Sequence, residues 1–404
     1  MTSNGRGPLR TAMTTIAIAS VGFVAFKLLE PIFVYNLGWT PMPDRQVAPA
    51  VFDVRGTARD DSAARANAVL RGAYASGDFP ALSAAIAVDG QLAWRGAIGF
   101  SDLQSRTPVS FDDSFRLGSS SKAVTAIAVG TLMAQGKLDL GASLGSLDPS
   151  LDAPVRDVTL GQAMSHRAGV RNYGICLCFP IWEHLNRRHF TSVRDAVSVF
   201  ERDPLLFNPG AGFAYTSFGY NLAGLAVEAA SGQSFDVFVD RAVASPLGLE
   251  TLRVDTLTDE DHVGFYDIEP RGYKRAFAVD NSIRVPSGGY RSSPGDMARL
   301  GLAMTDERLL PEEVQGALLA VPPGAASEDA QIYAHGWRVG GWDIDGAGPL
   351  IHHNGVSVGS RSIFVIARER GIVLSLMTNK GGESISDLAP IATELLAAFM
   401  NRAE

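Results

Sequence analysis

The stretch Phe115-Arg116-Leu117-Gly118-Ser119-Ser120-Ser121-Lys122, followed by Ala123-Val124-Thr125-Ala126-Ile127-Ala128-Val129, decides how this chain is read. The apolar run predicts a helix, and residues three apart on a helix share one face, so the Ser119 hydroxyl and the Lys122 amine should lie side by side. A serine hydroxyl is a poor nucleophile until a neighbour takes its proton. A lysine does that only where burial or a nearby cation keeps it neutral. Gly118 suits a sharp strand-to-helix turn that would set Ser119 at the positive end of the helix. Taken alone, a serine at a helix start is equally a helix cap.

Working outward, the predicted helix is apolar nearly all round to about Ala134, the pattern of an element buried between two lobes. Upstream, Asp61 to Ala75 has helical spacing of small apolar residues. Two apolar runs, Leu82–Val88 and Gln91–Ile98, are joined by Asp89-Gly90, a strong hairpin signal. From about Gln135 to Val285 helical patterns and loops dominate, clearest from Tyr220 to Ala230 with Ser231-Gly232 as its stop. The last third returns to strands: Ser362–Ala367 and Ile372–Met377 flank Arg368-Glu369-Arg370-Gly371, and a helix from about Ala389 to Met400 closes the chain. Strands at both ends with helices between them predict an α/β (α+β) lobe built from the two termini plus an all-helical lobe, with the site in the cleft between them.

The 404 residues are 46% hydrophobic and 19% charged, an ordinary globular composition. A net charge of -8 without any basic run sets nucleic acid aside as a partner. Cys176 and Cys178 are two residues apart, too close to bridge without strain, and no histidines cluster with them at zinc-site spacing; two free thiols and no metal are expected. At the N-terminus Arg6 and Arg10 precede an uncharged stretch from Thr11 to Phe26, then Lys27, Glu30 and Pro31-Ile32-Phe33-Val34-Tyr35. This predicts residues 1–37 as a signal anchor, in preference to a cleaved signal peptide, with residues 38–51 as a linker and 52–404 as the soluble domain. The catalytic domain is expected outside the cytoplasm, on the periplasmic or extracellular side if the source is bacterial.

Two further stretches carry chemistry. Pro209-Gly210-Ala211-Gly212-Phe213-Ala214-Tyr215-Thr216-Ser217 is a glycine-rich turn leading into a helix. Near a lysine ammonium the phenol of Tyr215 would favour its anion and suit proton shuttling, although packing at a lobe junction explains a tyrosine as well. In Leu350-Ile351-His352-His353-Asn354-Gly355-Val356 the two histidines must face opposite sides of a strand, so at most one meets the cleft. Gly355 would let a substrate backbone approach.

With these motifs in this order the chain resembles the serine β-lactamase-related family, on the side of class C β-lactamases, D-alanyl-D-alanine peptidases and related esterases. The resemblance runs from about Pro80 to Ala398 and includes Phe115-Arg116, Gly136-Lys137-Leu138-Asp139-Leu140, Met164-Ser165-His166-Arg167-Ala168-Gly169-Val170, Tyr215-Thr216-Ser217, Pro286-Ser287-Gly288-Gly289 and His353-Asn354-Gly355. It implies the penicillin-recognising serine enzyme fold, an antiparallel sheet with flanking helices plus a helical lobe at about 119–285. It implies that Ser119 is acylated, that Lys122 activates it, and that Tyr215 protonates the leaving group. The backbone N–H groups of Ser119 and Val356 would form the oxyanion hole, and Ser217, His353 and Gly355 would bind substrate. No cofactor is implied.

Two departures narrow the expectation. Ser217 stands where the family often has Asn, and His353 stands where true β-lactamases place a permanent cation, Lys; His is mostly neutral at pH 7. Both favour a peptidase or esterase acting on a small peptide or ester over a true β-lactamase. A non-catalytic binding protein on the same fold is the alternative from another class. The sequence does not set the oligomeric state.

Overall fold

Chain ends that are far apart in sequence meet in one antiparallel sheet. The computed structural model describes residues 7–44, 48–55, 60–176, 181–185, 187–257, 263–323, 328 and 332–400. Strands β1 (Ala50–Val54), β2 (Ala81–Val88), β3 (Gln91–Asp102), β4 (Arg338–Val339), β5 (Ile351–Ser357), β6 (Ser360–Ala367) and β7 (Ile372–Thr378) lie in the order β1-β3-β2-β7-β6-β5-β4. Asp89 (φ 49°) and Gly90 (φ 81°) both take the left-handed conformation that the tight turn between β2 and β3 requires. The second hairpin turns through Arg368–Arg370 and Gly371, whose φ is 60°. N- and C-terminal portions join where β2 pairs with β7, Ala84 opposite Leu376.

Both faces of this sheet are covered, which is why β7 is apolar on both faces but for Ser375 and Thr378. Ile372, Leu374 and Leu376 face helices α1 and α2 of the soluble domain's outer layer, Asp60–Ser76 and Ala389–Met400 respectively, through Leu70, Tyr74, Leu395 and Phe399. Val373 and Met377 point to the opposite face, into the core shared with the helical lobe. There the helix Ser121–Ala134, here α3, is buried from Ser121 through Leu132 and packs beside Phe218–Ser231, which ends at Gly232 in the left-handed conformation.

The lobe also carries an element the sequence pattern does not show. Tyr266–Glu269 and Gly272–Arg275 form a hairpin. Its strands are only four residues each, the second with Lys274 and Arg275 side by side, and only Tyr266, Ile268 and Tyr273 join a small satellite cluster with Met42, Phe100 and Leu103. Tertiary contact, not periodicity, holds such a strand pair. The stretch expected as a linker meets this hairpin: Thr40 and Tyr273 exchange two hydrogen bonds of 2.7 Å each. A Cβ on Gly272 would lie 2.0 Å from the Thr40 carbonyl oxygen, so the close approach requires glycine. β1 then begins at Ala50.

Ahead of it, one helix spans Gly7–Asn36, and the apolar side chains of its window Arg10–Glu30 stand exposed. Lys27 and Glu30 neutralise each other at 2.8 Å. Cys176 is disulfide-bonded, against the expectation of two free thiols. That expectation assumed regular backbone, whereas here the chain folds back, with the Cys176 N–H donating to the Ile181 carbonyl at 2.8 Å. Residues 177–180, with Cys178 among them, lie outside the described residues.

Candidate active site

From Ser114 to Leu132 every residue is buried except Ser119, the one position of the run that opens toward solvent. It sits in a 3₁₀ turn, Gly118–Ser120, between the strand Phe115–Arg116 and α3. Gly118 has φ 51°, and a Cβ there would lie 2.6 Å from the Val356 carbonyl oxygen. The residues at the two caps, Leu117 and Ser120, make no side-chain capping bond. Lys122 Nζ lies 3.2 Å from Ser119 Oγ and donates to the Ser287 carbonyl at 2.9 Å. Its side chain is fully buried. Burial, then the positive charges of Arg338 and Arg284, hold the amine well below the usual lysine range. A neutral amine has a lone pair to offer a hydroxyl proton; an ammonium has none.

The turn bearing Ser119 is fastened to the sheet. Ser362 Oγ donates to the Leu117 carbonyl at 2.8 Å and Ser360 Oγ to the Arg116 carbonyl at 3.1 Å. Arg116 pairs with buried Asp255 at 2.7 Å and donates to the Val358 carbonyl at 2.8 Å, so the end of β5 is tied to the strand before the serine. Gly355 completes the contact, because a Cβ on it would stand 1.7 Å from the Leu117 carbonyl oxygen. These restraints place the backbone of Val356 directly against Gly118.

Tyr215 lies across the cleft with its ring centre 4.9 Å from Lys122 Nζ. The sequence expectation supplied a lysine ammonium to favour a phenolate. The structure weakens the lysine's hold on its proton and places a second cation nearby, the Arg338 guanidinium, 5.7 Å from the same ring. Ser217 follows at the start of its helix, its N–H donating to Asn172 Oδ1 at 3.1 Å.

The two histidines of β5 do face opposite sides. His352 turns to Trp342, its Nε2–H donating to the Gly340 carbonyl at 3.0 Å. His353 turns toward the site but is fully buried. A carbonyl can only accept, so the 2.8 Å contact with the Asn354 oxygen puts the proton on Nδ1; Nε2 then accepts from the Tyr333 hydroxyl at 2.9 Å. Burial, then the Arg338 cation, hold His353 well below the usual histidine range, in line with its expected neutrality.

Four residues that sequence reasoning did not single out as site residues complete the constellation: His166, Arg284, Tyr333 and Arg338. His166 grips the tyrosine from both sides. Its carbonyl accepts from the Ala214 N–H at 2.9 Å, its Nδ1 accepts from the Thr216 N–H at 3.2 Å, and its ring lies 4.2 Å from that of Tyr215. It does so from a left-handed backbone, φ 61°, a strained state for a residue with a Cβ. No spacing rule marks any of the four, since they reach the site from separate places in the chain, Arg284 from a 3₁₀ helix and Arg338 from the short strand β4.

Beside this cluster opens a cleft of about 830 Å³. Val356 and Arg284 belong to its wall, as do Tyr173 and His184. Among the described residues no group of three His, Cys, Asp or Glu could hold a metal ion.

Comparison with known proteins places this geometry. The human mitochondrial serine beta-lactamase-like protein LACTB is 23% identical over 77% of this chain and 75% of its own. Esterase EstB of Burkholderia gladioli is 27% identical over 82% and 93%. The D-amino acid amidase of Ochrobactrum anthropi SV3, solved with D-phenylalanine, superposes with a TM-score of 0.71 at 20% identity, covering 85% of this chain and 99% of the amidase. At that identity the superposition speaks for the fold. The family described as Beta-lactamase matches residues 66–398, and the chain belongs to it.

Proposed function

We propose that this chain is a serine hydrolase that cleaves an ester or amide bond through an acyl-enzyme on Ser119. The observation that carries the proposal is the 3.2 Å approach of Lys122 Nζ to the one exposed hydroxyl of a buried run, in surroundings that keep the amine neutral. Lys122 takes the Ser119 proton as Oγ adds to the scissile carbonyl. The oxyanion that develops is held by the N–H groups of Ser119 and Val356, donors worth roughly 3–4 kcal/mol each in such sites. Tyr215 passes a proton to the departing alcohol or amine, with the Arg338 cation favouring its phenolate between steps. Water then attacks the acyl-enzyme by the reverse proton route, and Ser119 is restored.

Esterase or peptidase chemistry is favoured over β-lactam hydrolysis. Ser217 offers a shorter reach and fewer donors than an amide side chain would. His353, neutral and engaged by Tyr333, supplies no fixed cation for a substrate carboxylate. A relative named as an esterase supports this choice. The free apolar helix Gly7–Asn36 supports a membrane anchor with the catalytic domain outside the cytoplasm. The test is intact-mass analysis after a fluorophosphonate or β-lactone probe: wild type gains one adduct and Ser119→Ala gains none. Equal labelling of the two would refute the mechanism, and turnover of nitrocefin at the rate of dedicated enzymes would restore the β-lactamase reading.

A further inference from the structure

The segment that leaves the apolar helix becomes a wall of the cleft that opens beside Ser119 at Val356. Asn36 ends the helix, and Trp39, three residues on, lines the same cleft as Val356. Three residues span at most about 11 Å. Exposed apolar side chains continue past the central window through Ile32, Phe33 and Leu37, so the greasy surface of the helix runs to within two residues of the cleft wall.

The connection is fixed, not a loose tether. Thr40 is hydrogen-bonded both ways to Tyr273, and Met42 packs into the cluster beneath the hairpin. Trp39 itself lies between the Arg271 guanidinium, 4.3 Å from its ring centre, and the Lys274 ammonium, 5.1 Å away. A tryptophan with flanking cations just beyond an apolar helix is the composition of a membrane–water interface, whose polar layer is about 5–7 Å thick on each side. The hairpin that holds Trp39 also lends Ile268 to the cleft, and the irregular segment after it lends Phe277. The cleft thus runs from Trp39 to Val356 over Ile268, Phe277 and Val358, edged by the charges of Asp267, Glu269, Lys274 and Arg275.

We propose that the cleft is loaded from the bilayer and that the substrate is a long-chain acyl ester lying in the membrane, not a freely soluble peptide. The proposal rests on the hydrolase reading above. Ser119 Oγ bonds to the acyl carbonyl carbon as the ester C–O bond breaks. The alcohol leaves with a proton from Tyr215, and water releases the fatty acid.

The test uses the full chain in phosphatidylcholine vesicles with 4-methylumbelliferyl butyrate, which is soluble, and palmitate, which partitions into the bilayer. A Gly/Ser spacer of about fifteen residues inserted between Asn36 and Leu37 leaves the Thr40–Tyr273 bond in place but frees the cleft to drift by roughly 20 Å. The expected result is a loss on the order of tenfold in palmitate hydrolysis with the butyrate rate unchanged, since only the membrane-held substrate depends on a fixed position. As a second measurement free of any variant, wild type should cleave palmitate in its own vesicles faster than palmitate supplied in separate vesicles. Equal palmitate rates for the spacer variant and wild type, or equal rates from own and separate vesicles, overturn the proposal. So does wild type that cleaves butyrate alone, or that cleaves neither ester while fluorophosphonate still labels Ser119. Failure of that label overturns the hydrolase reading as well.

Discussion

Gly355→Ala should disable the site without touching any group that performs chemistry. The added Cβ would stand 1.7 Å from the Leu117 carbonyl oxygen and 2.5 Å from Ser362 Oγ. A normal carbon–oxygen contact is more than 3 Å, so strand β5 and the Leu117–Gly118 turn must part by roughly 1.5 Å. Ser362 cannot swing aside freely, because its Oγ donates to that same carbonyl at 2.8 Å and meets Ser120 Oγ at 2.8 Å. The Val356 N–H is therefore carried away from Ser119. Misplacement by about 1 Å costs about a hundredfold, and loss of one oxyanion donor costs about 10²–10³-fold, so kcat/KM should fall by at least about a hundredfold, some 2.7 kcal/mol. Overpacking should also take about 1–3 kcal/mol from stability. Turnover of p-nitrophenyl acetate and the rate of fluorophosphonate labelling measure the first effect, and thermal melting with near-UV circular dichroism measures the second. Gly316→Ala is the control: its Cβ enters open space on the helix Glu312–Leu319, so it should leave activity intact and add a few tenths of a kcal/mol or more. A folded Gly355→Ala protein with activity within about threefold of wild type would refute the argument that this contact sets the oxyanion geometry.

Arg338→Gln should move the alkaline-rising limb of the Ser119 labelling rate to higher pH. Removing a cation beside Lys122 raises the amine's pKa back toward its ordinary value, so less of it is neutral at pH 7; a limb that stays put would count against the arginine's role. His166→Asn should retain activity, because Asn tolerates the left-handed backbone and offers Oδ1 where Nδ1 accepts from Thr216. His166→Leu should lose about ten- to a hundredfold in kcat with KM for a small ester unchanged, and equal losses in both variants would make the residue merely structural. Acid should destabilise the fold between about pH 6.5 and 4. Burial pushes His335 and His352 down to about 4, so across that interval the unfolded chain binds protons that the folded chain refuses. Each contributes on the order of 3 kcal/mol once fully titrated, and His335→Gln should flatten the denaturant-midpoint profile over that range.

How much of this was legible in the sequence follows from the range of the forces involved. Local rules sufficed where a feature is set by its neighbours. Asp89-Gly90 and Gly371 announced hairpins because their turns need left-handed residues. The spacing of Ser119 and Lys122 announced a shared face because a helical turn brings i and i+3 together. The opposite facing of His352 and His353 follows from the two-residue period of a strand. None of these depends on what lies across the cleft.

What the sequence could not supply depends on residues brought together from far apart. That Lys122 holds its proton more weakly than an ordinary lysine is decided by complete burial and by two arginines more than 150 positions away, and no window of sequence holds all three. The Tyr266–Arg275 hairpin lacks a readable pattern because its stability comes from Met42 and Phe100. By itself the sequence determined that a serine and a lysine share one face at the start of an apolar helix, since that is written in spacing and side-chain type. Only the tertiary structure decided that the lysine is buried with its pKa held down and that the cleft opens beside the apolar helix. Charge, burial and the Thr40–Tyr273 contact are sums over the whole fold, not properties of any one stretch.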